Sequence, residues 1–348
     1  MILLKTINHK CPSCNANLKY NPKNKNWKCE YCGSVFTLKD LKKNEEKYDK
    51  TEVDKKKNKS EEMDEYFCQD CGAKIVASKN TSATFCVYCK NTAILKSRLT
   101  DKFSPSKIIP FSKTKEDAIE AFKKVGKGKI LMPKEFTLPK NIEELTGIYI
   151  PFWLYTGKIK GKITGKGNKV RTWSTRDYIY TETKVYSIER NGEFNFNNIP
   201  VDGSVRFNDA IMNSIEPFDY KELENFNVSY LSGFLSEKYD VEANEAKKIS
   251  IDRANETCYN NLCSTVAFSS FIPEEKNSEV IEEKIDYVLL PVWMVNIKYN
   301  EKLYTFAMNG QTGKMIGDIP YDKKKAFYLW FIIFVISFIL LAIITYFV

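Results

Sequence analysis

Eight of the ten cysteines form four C-x-x-C pairs, a spacing that is typical of metal-binding knuckles. Each C-x-x-C turn brings two thiolates to one point, so two turns can close a tetrahedron around zinc with Zn–S distances of roughly 2.3 Å. Fourteen residues separate the pairs within each block, and the second block repeats the first at an offset of 57. The sequence therefore predicts two zinc ribbons holding one Zn²⁺ each, with ligands Cys11, Cys14, Cys29 and Cys32 in the first ribbon and Cys68, Cys71, Cys86 and Cys89 in the second.

An iron–sulfur site and a disulfide framework are the alternatives to zinc. Iron–sulfur spacings are usually uneven rather than paired. The apolar run at Met1–Leu4 is far shorter than the roughly 7–15 residues of a secretion-signal core, so we expect reduced thiolates. We also expect Gly33 and Gly72, each directly after a C-x-x-C, to adopt positive φ.

The net charge of the two ribbons gives only modest support to nucleic acid as a binding partner. The 348-residue chain has 53 Lys+Arg against 44 Asp+Glu, and residues 1–38 and 66–99 carry net charges of +5 and +4. Because Zn²⁺ with four thiolates is a −2 unit, the loaded ribbons fall to +3 and +2. We expect the ribbon aromatics to fill small cores rather than to stack on bases; they are Tyr20, Trp27, Tyr31 and Phe36 in the first ribbon and Phe67, Phe85 and Tyr88 in the second.

No catalytic constellation is recognisable, so we expect a protein that is not an enzyme and has no evident small-molecule substrate. His9 is the single histidine, which removes most imidazole chemistry. Cys258 and Cys263 lie about 140° apart on a predicted helix and are interpreted as buried free thiols. One set of glycines lacks the phosphate-loop frame and is interpreted as a flexible β turn: Gly157, Gly161, Gly165 and Gly167.

Composition divides the chain into five segments. Residues 39–65 carry 19 charges among 27 residues and form a charged linker, which makes the ribbons at 1–38 and 66–99 beads on a string. Residues 100–320 are predicted to form a mixed α+β cytosolic domain, and residues 326–348 a transmembrane tail anchor. The fold class is therefore α+β with two N-terminal ribbons and a terminal membrane helix.

The α+β domain carries signals for helices, hairpins and an internal duplication. Residues 114–124 and 241–263 are predicted to be helical, the first with Thr114 as N-cap. Asn-Gly pairs at 191–192 and 309–310 predict two hairpin turns. The segments 147–159 and 286–299 share a Pro-x-Trp motif, which indicates two related α/β halves with the tryptophans in the core, at Pro151/Trp153 and Pro291/Trp293.

The C-terminal segment from Ala326 to Val348 contains no charged residue. As a helix it would extend about 34 Å, enough to cross a hydrocarbon core of roughly 30 Å. Lys323, Lys324 and Lys325 directly precede it, so the positive-inside rule predicts a single-pass protein of the cell membrane with its bulk in the cytoplasm.

The ribbons, the segments GIYIPFWLY and YTFAMNGQTGKMIGDIP, and the terminal helix together resemble a family of bacterial, mostly Firmicute, zinc-ribbon membrane proteins. These proteins are often labelled transcription factor IIB-type zinc ribbon proteins, sometimes with names borrowed from the primosomal helicase. The resemblance implies metal binding by the eight cysteines and work beside membrane-stress proteins of phage-shock and flotillin type. It does not imply transcription, because ribbons bind proteins as readily as nucleic acids.

These observations favour a membrane-anchored adaptor that presents protein-binding ribbons at the cytoplasmic face of the membrane, in a membrane-stress complex. A membrane-tethered nucleic-acid binder is the first alternative, and an accessory to a helicase or another enzyme is the second.

Overall fold

The computed structural model describes residues 4–5, 10–45, 63–68, 74–78, 81–86, 92–95, 104–133 and 145–347, and the statements below refer to these residues. They form a mixed α+β protein with a sheet-rich body and a long apolar C-terminal helix.

The N-terminal part consists of short strands and one helix. They are β1 (Leu4–Lys5), β2 (Leu18–Asn21), β3 (Asn26–Cys29), β4 (Val35–Phe36), α1 (Leu38–Glu45), β5 (Met63–Phe67), β6 (Lys74–Ser78), β7 (Thr81–Phe85) and β8 (Thr92–Ile94). Strands β2–β3–β4 form the sheet of the first cysteine module, and β1 joins β5 and β6 in a second small sheet.

The body contains the longest strands. Its elements are β9 (Lys107–Ile108), α2 (Lys115–Gly126), β10 (Thr146–Ser174), β11 (Ile179–Asp202), α3 (Asp209–Ser214), two short 3-10 helices at Tyr220–Glu222 and Val228–Leu231, β12 (Glu224–Asn225), β13 (Leu235–Glu237), α4 (Ala243–Ser264), β14 (Ser270–Tyr299), β15 (Lys302–Asn309), β16 (Met315–Gly317) and α5 (Lys323–Phe347).

One large sheet organises the body in the order β12–β9–β14–β10–β13–β7–β8, with β11 beside β10, β15 beside β14, and β16 beside β15. Residues 147–155 of β10 and residues 287–293 of β14 are buried on both faces of the sheet. Ile150 and Leu290 belong to the core on one face of the sheet, which includes α3. Tyr149, Leu289 and Trp293 belong to the core on the other face, which includes α2. The core therefore lies on both sides of the β10–β14 pair.

Both predicted helices of the body are present. Thr114 caps α2 through a capping box: its hydroxyl accepts from the Asp117 amide, and the Asp117 carboxylate accepts from the Thr114 amide at 2.8 Å. Helix α4 buries the Ala254, Cys258 and Leu262 face that the sequence indicates.

The two Pro-x-Trp segments occupy equivalent places in an antiparallel pair. Gly203 donates to the carbonyl of Pro151 at 2.9 Å, and Gly310 donates to that of Pro291 at 2.8 Å. Trp153 Nε1 donates to the Val241 carbonyl, just before α4, as Trp293 Nε1 donates to the Lys113 carbonyl, just before α2. The body therefore consists of two halves with the same local hydrogen bonding.

The first half extends into a long antiparallel arm, which we define as residues 157–196 of β10 and β11 together with residues 270–286 of β14. Eighteen residues of β10 span this arm, about 60 Å at roughly 3.3 Å per residue. The glycines at 157, 161, 165 and 167 lie inside β10, so the prediction of a flexible β turn is wrong. They alternate with lysines because the glycine face packs inward, and a Cβ at Gly161 would clash with Cys258 Sγ of α4.

The prediction of a hairpin turn at Asn191-Gly192 is also wrong, since both residues lie within β11. Gly192 pairs with Gly161, and the chain turns at residues 175–178 instead. The Asn309-Gly310 turn is confirmed between β15 and β16, where Asn309 Oδ1 accepts from the amides of Gln311 and Thr312 at 2.9 Å each.

Candidate metal centre

The first cysteine module builds two knuckles with the same backbone pattern. Asn15 donates to the Cys11 carbonyl at 2.8 Å, and Gly33 donates to the Cys29 carbonyl at 3.0 Å. Asn15 and Gly33 both have positive φ, 60° and 75°. The expectation for Gly33 is confirmed, and the equivalent role of Asn15 was missed although asparagine tolerates this conformation. Gly72 lies outside the described residues.

The knuckles bring four sulfur atoms together. All four Sγ atoms of Cys11, Cys14, Cys29 and Cys32 lie within 4.8 Å of one another. Sγ of Cys11 lies 3.6 Å from that of Cys32, and Sγ of Cys14 lies 3.5 Å from that of Cys29. A tetrahedron with metal–sulfur distances of about 2.3 Å has edges of roughly 3.8 Å. These four cysteines can therefore hold one metal ion.

The surroundings of the thiols differ across the cluster. Hydrogen bonds with the Ser34 hydroxyl and amide lower the pKa of Cys32 to about 6. The Ala16 amide lowers the pKa of Cys14, but partial burial and the three neighbouring thiols together raise that pKa to about 12. Four thiolates this close repel one another, so a bound cation supplies the charge that lets all four ionise.

Burial places the cluster at the edge of the module. Cys11 and Cys29 are buried, Cys14 is half-buried and Cys32 is exposed. A metal with four protein sulfurs has no open coordination position, so this arrangement is suited to a structural role rather than to catalysis.

The second cysteine module is described in part. Cys68 and Cys86 are buried in a small core with Tyr66, Ala77 and Leu95. Cys71 and Cys89 lie outside the described residues. The second metal site therefore stays a prediction.

Aromatic side chains attach the first module to the body. Trp27 Nε1 donates to the Ser229 carbonyl at 2.8 Å, and its ring centroid lies 5.2 Å from that of Tyr230. Tyr20 packs against Tyr230 at 5.5 Å and against Phe234 at 6.5 Å. Both Trp27 and Tyr20 are buried, so the prediction that the ribbon aromatics pack in a core is confirmed for these two residues. It is wrong for Tyr31, which is 85% exposed.

This packing continues into the centre of the body. Phe234 stacks on Phe111 at 4.1 Å, and Phe111 contacts Trp293 edge-on at 5.3 Å. An unbroken series of aromatic contacts thus runs from the module to the body core.

The modules are not beads on a string. Strand β7 of the second module pairs with β13 of the body, and β1 pairs with β5. Strands of the two cysteine modules therefore pair with the body and with one another, and modules this small need such neighbours to bury enough surface. Sequence reasoning missed the attachment site at Ser229, Tyr230 and Phe234, for which no local motif exists.

The remaining predicted cysteines do not form a metal site with each other. Cys258 is buried against Gly161, and Cys263 is half-buried near the end of α4. Among the described residues, both are free thiols; the predicted burial is confirmed for Cys258, whereas Cys263 is buried only in part.

Helix α5 begins on the body and then leaves it. The Lys324 amide donates to Asp322 Oδ1 at 2.9 Å, and Lys325 Nζ donates to the Met132 carbonyl at 2.6 Å. Beyond this point the apolar side chains, among them Trp330, are exposed. By length and composition α5 can cross a membrane.

Comparison with known proteins places the chain in a family. No protein-family model matches it, and no solved structure matches it. The chain is 32% identical over 320 residues to a Bacillus subtilis (strain 168) protein described as uncharacterized protein YdjG, and the alignment covers 92% of each chain. The chain therefore belongs to the same family as Bacillus subtilis YdjG.

Proposed function

We propose that this protein is a membrane-anchored zinc-ribbon adaptor. Its ribbons present protein-binding surfaces at the cytoplasmic face of the membrane, where α5 is a single-pass tail anchor. The three lysines that precede α5 favour a cytoplasmic body, and that compartment also keeps thiols reduced.

Zinc is the ion we propose for the first cluster. The sulfur–sulfur distances of 3.5 and 3.6 Å suit four-thiolate coordination, and zinc prefers this closed geometry. By the repeat of the sequence, we propose a second zinc held by Cys68, Cys71, Cys86 and Cys89.

The observation that carries the adaptor proposal is the division of the first module into a docked side and a free side. Trp27 and Tyr20 are buried in contacts with the body. Tyr31 lies between the two cysteines of the second knuckle, and its side chain is 85% exposed. Tyrosine is a frequent anchor in protein interfaces. Because the metal would fix the knuckle and the body fixes the module, Tyr31 is displayed in a rigid setting.

Site-specific photo-crosslinking in the native cells tests this proposal. The full chain carries p-benzoylphenylalanine at position 31 or, as a matched control, at Leu303, which is 65% exposed on the body. We expect a discrete protein adduct from position 31, none from position 303, and loss of the adduct when Cys32→Ser removes an exposed ligand. An absence of protein adducts at position 31, or equal adducts at both positions, would contradict the proposal.

The nucleic-acid alternative is weaker because two ribbon aromatics that it would use, Tyr20 and Trp27, are buried against the body. No described feature favours the accessory role to a helicase or another enzyme.

A further inference from the structure

The end of the arm concentrates exposed apolar side chains. Among the described residues before α5, sixteen large apolar residues are exposed, and eight of them lie in the tip, which we define as residues 168–186 with residues 268–272. These eight are Val170, Trp173, Tyr178, Ile179, Tyr180, Val185, Tyr186 and Ile272. Such a concentration marks a surface that contacts something other than water.

The apolar side chains of the tip point to both faces of the sheet. Trp173 pairs with Tyr180 and stacks on it at 5.6 Å on the face that α4 covers lower in the arm. Val170 and Val185 lie on the opposite face, since side chains alternate along a strand. A protein groove or a base-stacking platform engages one face, whereas a lipid interface surrounds the tip on all sides.

Cations are held beside these rings. The Arg171 guanidinium lies 5.6 Å from the Trp173 ring centroid, and Lys169 Nζ lies 5.4 Å from that of Phe268. Residues 168–186 contain four basic and two acidic side chains, a net charge of +2. Aromatic residues with flanking Lys and Arg are the side chains enriched at the bilayer interface, where phosphates are anionic.

We propose that the tip rests in the anionic headgroup layer of the bilayer that holds α5. Trp173, Tyr178 and Ile179 lie within the interface, and Lys169 and Arg171 contact lipid phosphates. Arg176 and Asp177 in the turn keep the tip in the headgroup layer rather than in the hydrocarbon. This inference rests on the membrane anchoring proposed above.

The position of α5 gives the inference a geometric consequence. Helix α5 follows β16, which pairs with β15 at the end of β14 opposite to the tip. Contact of the tip with the same bilayer therefore lays the arm, about 60 Å long, along the membrane surface.

Quenching of tryptophan fluorescence by brominated lipids separates the tip from the anchor. The full chain is reconstituted in vesicles of brominated phosphatidylglycerol, and the emission of Trp173 is taken as the difference between the wild type and Trp173→Phe. Trp330 in α5, obtained in the same way from Trp330→Phe, reports insertion of the anchor. We expect at least twofold quenching of both residues, and loss of the Trp173 quenching alone in the variant Lys169→Glu with Arg171→Glu.

Two results would overturn the inference. If Trp330 emission is quenched but Trp173 emission is the same as in detergent, the anchor is inserted and the proposed contact of the tip with the bilayer is rejected. Absence of quenching at Trp330 rejects the anchor and the tip together. In cells, p-benzoylphenylalanine at Ile179 is expected to give lipid adducts, and a protein or nucleic-acid adduct there would assign the tip to that partner instead.

Discussion

The two halves of the body share the hydrogen bonds around Pro151 and Pro291 but differ in the length of their hairpins. In the second half, β14 and β15 turn at Asn300–Glu301, whereas in the first half β10 continues to Ser174 before the chain returns. The shared part builds the core. The extended hairpin has no counterpart in the other half, and its base adds a second small core in which Ile163 packs with Cys258 and Leu262 of α4.

The halves also differ at one buried position. Asp202 precedes Gly203 in the first half as Asn309 precedes Gly310 in the second. Each side chain accepts from the backbone amide two residues later, that of Ser204 or that of Gln311. The amide group additionally allows Asn309 to donate to the carbonyls of Ile215 and Pro217, at 3.1 and 3.3 Å. The same backbone therefore holds a satisfied amide in one half and a buried carboxyl in the other.

The substitution Asn309→Asp is expected to have the largest effect. It places a buried carboxylate against the carbonyl oxygens of Ile215 and Pro217, so the free energy of unfolding should fall by about 3–5 kcal/mol at pH 8. Thermal unfolding of the full chain in detergent, followed by tryptophan fluorescence, measures the change. A loss below about 1 kcal/mol would show that the amide donor is not needed.

The substitution Asp202→Asn should act in the opposite direction and depend on pH. Burial, opposed by the Ser204 amide and assisted by Asp209, Asp240 and Glu237, raises the pKa of Asp202 to about 7. The native state therefore holds a proton that the unfolded chain releases above its usual pKa of 3.8, so wild-type stability falls as the pH rises from 3.8 to 7.

Asparagine does not titrate, so the free energy of unfolding of Asp202→Asn should exceed that of the wild type by on the order of 2 kcal/mol at pH 8. This difference should shrink toward pH 4. Unfolding midpoints of both chains between pH 4 and 8 check this. A difference that does not vary with pH would contradict the raised pKa.

At the base of the arm, Gly161→Ala should destabilise the protein by about 1–3 kcal/mol because the new Cβ meets Cys258 Sγ. The combination with Cys258→Ala removes that sulfur and is the matched control. We expect the double variant to be more stable than the sum of the two single changes predicts. Strict additivity would mean that α4 does not pack on this glycine.

At the tip, Ile179→Ser should change the free energy of unfolding by less than about 0.5 kcal/mol in detergent, because Ile179 is 78% exposed. The contrast with Gly161 sharpens the distinction between the base of the arm and its tip. A large destabilisation would indicate that the tip is part of the core after all.

Sequence reasoning succeeded where the signal is local. The spacing of Cys11, Cys14, Cys29 and Cys32, the Thr114 cap and the uncharged C-terminal segment each contain the information within a few residues. The Pro-x-Trp motif also located the two central strands, because proline and tryptophan recur at the same distance from each other.

Sequence reasoning failed where the explanation lies far along the chain. Gly161 and Gly192 were interpreted as turn residues, but their neighbours are Cys258 and Leu262 of α4. Glycine permits both a turn and a close approach, and only the partner decides between them. The docking of Trp27 on Ser229 was likewise unpredictable, since the acceptor is a backbone carbonyl about 200 residues away.

Zinc content measured by elemental analysis tests the metal centre most directly. The full chain, purified in detergent under reducing conditions, should contain two zinc ions, and Cys29→Ser should lose one of them. X-ray absorption at the zinc edge should give four sulfur neighbours at roughly 2.3 Å. A wild-type chain without zinc, or a Cys29→Ser chain with the same zinc content as the wild type, would contradict the account.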